Sequence, residues 1–94
     1  MNTKHRMKDD ELFEAIVSLS NCDDAKAFFA DLCTVGEIAA MTQRFEAAKL
    51  LIEGCTYEQV IAATDISSAT LSRVSKCVKH GEGYRKIIGS KNRD

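Results

Sequence analysis

The sequence has no proline, and aromatic residues make up only 6% of its 94 positions. Residues that favour β-strands are sparse, whereas alanine, leucine, glutamate, lysine and isoleucine are frequent. Because proline is the strongest helix breaker, its absence leaves long helical stretches uninterrupted. The composition therefore predicts an all-α globular protein, and the length is enough for one compact domain and not for two.

The sequence also has no closely spaced pair of cysteines. Its four cysteines are separated by 11, 22 and 22 residues, at Cys22, Cys33, Cys55 and Cys77. A zinc site normally draws on a close pair of ligands, and a disulfide-stabilised domain has a higher density of cysteines. We therefore expect no metal site and predict reduced thiols that pack as small hydrophobic side chains.

Long apolar runs and an N-terminal secretion signal are missing as well. No stretch approaches the roughly 18 apolar residues of a membrane-spanning helix. Residues 1–10 are polar and charged, without the apolar core of a signal peptide. These absences predict a cytoplasmic protein with no membrane partner.

Charge is distributed unevenly along the chain, although the net charge is only −1. Residues 1–8 carry +3, residues 9–65 carry 12 acids and 3 bases, and residues 66–94 carry 7 bases and 2 acids. Phosphate binding depends on local charge more than on the total. The C-terminal third therefore remains a candidate for contact with nucleic acid.

Apolar periodicity predicts about six helices. They cover approximately residues 10–19, 23–32, 35–53, 57–64, 68–79 and 84–88. Thr34 and Glu37 form a T-x-x-E capping box at the start of the third helix, and Gly54 is placed to end it. In that helix apolar residues recur at spacings of three and four, like a coiled-coil seam, at Ile38, Met41, Phe45, Ala48 and Ile52.

Residues 56–78 have the pattern of a helix-turn-helix motif. Such a motif needs a small residue where its two short helices pack closest, and Ala62 fits that position. The turn needs a residue that tolerates left-handed backbone angles, and Asp65 stands where glycine is usual. Apolar side chains anchor the second helix, at Ile66, Leu71 and Val74.

The second helix of this motif has a small and basic exposed face. Its predicted members are Ser68, Ala69, Thr70, Ser72, Arg73 and Lys76. The small side chains allow close approach to base edges, whereas Arg73 and Lys76 can bind phosphates or guanine. Tyr57 and Gln59, near the start of the preceding helix, are candidates for contacts with the DNA backbone.

The same sequence could belong to two other classes of protein than a DNA-binding one, namely a protein-interaction module or an enzyme. A helical hairpin with a solvated basic face would have the same pattern, and such a dimer could be a protein-interaction module without sequence-specific DNA contact. An enzyme is not expected, because neither His5 nor His80 is near a convincing catalytic partner in the sequence. The chain also has no glycine-rich phosphate loop and no G-x-S-x-G motif.

Three segments resemble, in order, proteins of the Trp repressor-like family, and in particular its small bacterial YerC/YecD-type branch. They are DLCTVGEIAAMTQRFEAAKLL at 31–51, GCTYEQV at 54–60 and ATLSRV at 69–74. The resemblance covers residues from about 28 to 78, just over half of the chain.

This resemblance implies an all-helical, intertwined homodimer whose two helix-turn-helix heads bind successive major grooves of double-stranded DNA. The expected function is a sequence-specific transcriptional regulator of the repressor type, associated with the nucleoid. The wide apolar faces of the first three helices agree with a dimer, because one small chain does not need so much apolar surface. The expected domains are a flexible basic N-terminus at 1–8, a Trp-repressor-like domain at 9–88 and a flexible tail at 89–94.

The resemblance also implies a site for a small effector such as an amino acid. In the Trp repressor, the corepressor lies between the central and recognition helices, and two arginines and a threonine help to hold it. The matching positions here are Arg44, Arg73 and Thr34. Two guanidinium planes can sandwich an aromatic ring and bind a carboxylate. Alternatively Arg44 pairs with an acid such as Glu37 and Arg73 contacts phosphate, with no effector and no cofactor.

Overall fold

The computed structural model describes residues 8–89 of the chain. Every regular element in this range is helical: α1 (Asp10–Val17), α2 (Cys22–Leu32), α3 (Val35–Ile52), α4 (Tyr57–Thr64), α5 (Ser68–His80) and a π-helical turn (Arg85–Gly89). The predicted all-α fold with about six helices is confirmed. The flexible segments predicted at 1–8 and 89–94 lie almost entirely outside the described residues.

Capping residues set the boundaries of the first two helices. α1 ends at Val17, two residues earlier than predicted, and the Ser18 hydroxyl donates to the Ala15 carbonyl at 2.6 Å. α2 begins one residue earlier than predicted because the Asn21 side chain accepts a hydrogen bond from the Asp24 amide at 2.8 Å. The apolar pattern predicts Asn21 only as an interruption between the first two helices, whereas in the structure it is the N-cap of α2.

α3 ends in a Schellman motif built on a glycine. Gly54 has a φ of 100°, and its N–H donates to the Leu51 carbonyl at 3.0 Å. The N–H of Cys55 donates to the Leu50 carbonyl, also at 3.0 Å. Only glycine adopts such backbone angles without strain, so the predicted stop at Gly54 is confirmed with its physical cause.

The chain divides into two compact units, Met1–Val35 and Gly36–Asp94. In the first unit, α1 and α2 contain no buried residue. The rings of Phe28 and Phe29 pack edge to face with their centroids 5.7 Å apart. The apolar spacing of α2 predicts that Leu32 faces inward with these rings, but Leu32 is exposed. Large apolar side chains stand in solvent along this unit, at Leu12, Phe13, Val17, Leu32 and Val35.

The second unit contains a hydrophobic core. Its buried members come from α3, α4, α5 and the segments around them: Ala47, Ala48, Val60, Ile66, Leu71, Val74, Val78 and Ile88. Ala48, from the predicted seam of α3, is fully buried, whereas Phe45 is 44% exposed. Because two adjacent alanines of α3 are fully buried, the neighbouring elements approach this helix closely. The short helices α4 and α5 are therefore built onto the second half of α3.

The cysteines are free thiols, as expected. Three of them are half-buried, but Cys22 is exposed, so the prediction that all four pack inside is wrong at that position. Within residues 8–89, no group of three histidine, cysteine, aspartate or glutamate side chains could hold a metal ion. None of the described helices is both long and apolar enough to cross a membrane.

Candidate nucleic-acid interface

A reciprocal capping box fixes the start of α4. The Gln59 N–H donates to the Thr56 hydroxyl at 3.2 Å, and the Thr56 N–H donates to the Gln59 side-chain oxygen at 2.8 Å. The box satisfies two backbone donors that a helix start leaves unpaired. Gln59 therefore has its carbonyl oxygen engaged in the cap, so its predicted contact with the DNA backbone falls to its amide nitrogen. Tyr57, the other predicted backbone contact, is exposed on the same turn.

The turn between α4 and α5 contains the one left-handed residue other than glycine within 8–89. Asp65 has φ 64° and ψ 16°, and its N–H donates to the Ile61 carbonyl at 2.9 Å. This conformation is the one predicted from the sequence. Ser67 then caps α5 by accepting a hydrogen bond from the Thr70 N–H at 3.1 Å.

α5 has one buried face and one exposed face. The buried face consists of Leu71, Val74, Ser75 and Val78. The predicted contact residues on the opposite face are exposed at Ser68, Ala69, Ser72, Arg73 and Lys76. Thr70 differs from the prediction because it is half-buried, and its hydroxyl lies 3.0 Å from that of Ser67. Five of the six predicted positions therefore share the exposed face of α5, and Thr70 lies at its edge.

The small residue expected at the crossing of the two helices is not where the sequence placed it. Ala62 is exposed, whereas Val60 is fully buried. Two positions apart on a helix are about 200° apart around its axis, so burial of Val60 turns Ala62 toward solvent. The small buried residue on the motif is Ser75 of α5, and the prediction for Ala62 is wrong.

The electrostatic difference between the two helices of the motif is clear. α5 carries Arg73, Lys76 and Lys79 and has no acidic residue, whereas α4 carries Glu58 and Asp65 follows it. Positive charge is therefore concentrated on the helix with the small exposed side chains. Arg85, beyond α5, donates from Nε to the Val78 carbonyl at 2.6 Å, which ties the following segment to the end of α5.

Sequence reasoning missed two polar residues beneath the turn. The Gln43 side-chain nitrogen donates to the Thr64 carbonyl at 2.9 Å. The Thr64 hydroxyl donates to the Val60 carbonyl at 2.8 Å and accepts from the Ile66 N–H at 3.3 Å. Gln43 and Thr64 are 21 positions apart, so no local pattern could have joined them.

The residues predicted to hold an effector are distributed over both units. Thr34 belongs to the first unit and is exposed, whereas the half-buried Arg44 and the exposed Arg73 lie on α3 and α5 of the second. The second unit also has an open groove of about 550 Å³, lined by Phe45, Cys77, Gly81, Gly83, Tyr84 and Ile87. These described lining residues are uncharged and exclude all three predicted ligands, so the groove does not match the predicted carboxylate clamp.

The fold and the exposed face of α5 define an all-helical protein of the helix-turn-helix class. Residues 8–92 match the model of the family described as Trp repressor protein. The chain belongs to the Trp repressor family, which confirms the resemblance of its three segments.

Individual relatives agree with this assignment. The uncharacterised YerC protein of Bacillus subtilis is 44% identical over 72 residues, which cover 77% of this chain and 69% of YerC. The crystal structure of a candidate Trp repressor from Staphylococcus aureus is 38% identical, with a TM-score of 0.86 over 100% of this chain and 97% of its own. A TrpR-like protein from Eubacterium eligens is 40% identical, with a TM-score of 0.85 over 97% and 96% of the two chains.

Proposed function

We propose that the protein is a homodimeric, sequence-specific DNA-binding regulator of transcription that acts as a repressor. The observation that carries the proposal is the exposed face of α5, where small side chains lie beside Arg73 and Lys76. A recognition helix enters the major groove with such a face, because small residues let its backbone approach the base edges. Membership of a family of regulatory DNA-binding proteins supports the same function.

Within this proposal, Ala69, Thr70 and Ser72 approach the bases, and Ser68 contacts the DNA beside them at the start of the helix. Arg73 and Lys76 bind phosphate or guanine, and Tyr57 with Gln59 contacts the backbone from α4. The absence of acidic residues from α5 keeps this surface free of repulsion against phosphates. The hydrophobic anchors Leu71 and Val74 hold the helix so that this face points outward.

The dimer in this proposal is supported by the first unit. The helices α1 and α2 contain no buried residue, and two large apolar side chains of this unit are almost fully exposed: Val17 at 82% and Val35 at 86%. Exposed apolar side chains at this density are typical of surfaces that another protein covers. A second copy of the chain is the proposed cover, because a symmetric dimer would present two DNA-reading heads to a palindromic site.

The proposal needs no cofactor. An effector such as an amino acid, bound by Thr34, Arg44 and Arg73, stays a separate prediction. Its test is to add each amino acid to the complex with a selected DNA site. An effector must change the affinity of the protein for DNA. By thermodynamic linkage, DNA then changes the affinity of the protein for the effector by the same factor.

The function is tested by selecting random duplex DNA with the purified protein and titrating the enriched sequences across salt concentrations. We expect a palindrome whose half-sites are about one helical turn apart. We also expect the logarithm of the affinity to fall linearly with the logarithm of salt concentration. Enrichment of no sequence, with negligible DNA affinity at any salt, would overturn the proposal in favour of a protein-interaction module.

A further inference from the structure

The last carbonyl of α4 is satisfied by a different helix. The final four carbonyls of an α-helix have no partner within the helix. At the end of α4, the Thr64 carbonyl accepts a hydrogen bond from the Gln43 side-chain nitrogen at 2.9 Å. Gln43 lies on α3, so this bond connects the central helix directly to the turn of the motif.

Thr64 continues this connection into the turn. Its hydroxyl donates to the Val60 carbonyl at 2.8 Å and accepts from the Ile66 N–H at 3.3 Å. Ile66, only 2% exposed, belongs to the core and lies two residues before the start of α5. A series of hydrogen bonds therefore runs from α3, through the end of α4, to the residue that leads into the recognition helix.

The turn requires such support because its geometry is unfavourable for the residue that occupies it. Asp65 has a φ of 64°, a region that residues with a β-carbon seldom adopt. Surrounding structure must hold a residue in that conformation. The bonds on either side of Asp65, made by Thr64 and Ile66, hold the backbone where a glycine would adopt the turn without help.

We propose that Gln43 is a positioning residue that fixes the turn on α3 and thereby sets the orientation of α5. The effect of Gln43 on DNA recognition rests on the proposed function. Two rigidly oriented recognition helices discriminate between half-site spacings, whereas two loosely held helices do not. Gln43 touches no DNA in this proposal, and its effect passes entirely through the Thr64 carbonyl.

The test uses substitutions that remove the hydrogen bond without removing volume. Gln43→Met keeps the length of the side chain and has no donor, and Gln43→Glu puts an acceptor opposite the carbonyl. Thr64→Val removes the hydroxyl and leaves the carbonyl. Thr42→Met is the matched control, because Thr42 is the preceding residue on α3 and is exposed.

The first readout does not depend on DNA. We expect Gln43→Met to accelerate amide exchange at Asp65 and Ile66 about fivefold to tenfold, the effect of one hydrogen bond. The Leu71 amide, bonded to the Ser67 carbonyl at 2.9 Å, should change less. Residual dipolar couplings should show α5 at a changed or broader angle to α3. Equal acceleration at all three amides with an unchanged angle, or no acceleration, would overturn the proposal.

The second readout uses the DNA site that the parent protein selects, in versions with the half-sites moved together or apart by one base pair. Gln43→Met should reduce the discrimination between spacings about fivefold, whereas Thr42→Met should keep it. The salt dependence should not change, because no charge is altered. A parent protein that selects no site overturns the proposed function, and the exchange and angle measurements then decide the positioning proposal alone.

Discussion

The two units of the chain have similar helical patterns in sequence but opposite burial in the structure. All nine buried residues among 8–89 lie in the second unit, and α1 and α2 of the first contain none. Both units carry apolar residues at helical spacing. Periodicity therefore identifies a face that has to be covered, but it does not tell whether the same chain or another one covers it.

This difference assigns the two units to different parts of the proposed function. The second unit has its own core and carries the exposed basic face, so it is suited to hold the recognition helix at a defined position. The first unit leaves large apolar side chains in solvent, so it is suited to assembly with a second copy. Substitutions in the two units should therefore affect different measurements.

Leu71→Ala should produce the largest loss of stability, because Leu71 is fully buried in the core of the second unit. Removal of such a side chain costs about 2–5 kcal/mol of unfolding free energy. Denaturation in urea measures this loss. The matched control is Ser72→Ala, one residue along on the exposed face, which should change stability by about 0.5 kcal/mol or less. Equal effects of the two would contradict the assignment of the buried face.

Arg73→Glu should separate DNA binding from assembly. Arg73 is exposed on α5, and reversal of its charge should lower the affinity for a selected DNA site at least about 100-fold. The dimer mass in sedimentation should not change. Lys26→Glu makes the same change of charge on the exposed side of α2, so an equal loss with both variants would mean that only total charge matters.

The elements that the sequence predicted well are those with local causes. The start of α5 follows from Ser67, and the end of α3 follows from Gly54. The left-handed turn at Asp65 was also predictable, because the tolerance of aspartate for that conformation is a property of the residue itself. The exposed residues of α5 followed from the spacing of its apolar anchors.

The errors concern relations between elements. Whether Ala62 is buried depends on how α4 is rotated about its axis. Whether Leu32 is buried depends on what covers α2. The bond from Gln43 to Thr64 joins positions 21 residues apart. None of these relations leaves a mark in the local sequence, because each depends on the placement of one helix against another. Gln43 in particular stands between Thr42 and Arg44 in α3, where it is one polar residue in a short polar stretch.

Val17→Lys tests the proposed assembly through the first unit. Val17 is 82% exposed in the single chain, so the substitution should not alter the core of the second unit. A lysine within an apolar interface must be desolvated, and we expect a dimer dissociation constant about tenfold higher. Sedimentation equilibrium measures the change, with Ser20→Lys as the control of equal charge. An unchanged dissociation constant would exclude this part of α1 from the interface.

Substitutions of Asp65 should have the smallest effect, and they separate backbone strain from charge. Asp65 lies at the end of α4, where the helix dipole disfavours a negative charge, and its φ is 64°. Asp65→Asn removes the charge but retains a residue that tolerates this backbone, with an expected gain of about 0.5 kcal/mol. Asp65→Gly should gain about 0.5 kcal/mol more, because glycine adopts this conformation without steric cost.

The comparison of these two variants in urea denaturation shows what holds the turn. A larger gain for glycine than for asparagine would mean that the strain at Asp65 exceeds the additional entropy that glycine loses on folding. A gain for asparagine with a loss for glycine would mean the reverse: the entropy that glycine loses on folding exceeds the strain at Asp65. The strain at the turn would then be small enough for the one long-range bond, from Gln43 to the Thr64 carbonyl, to hold it together with the local bonds of the Thr64 hydroxyl.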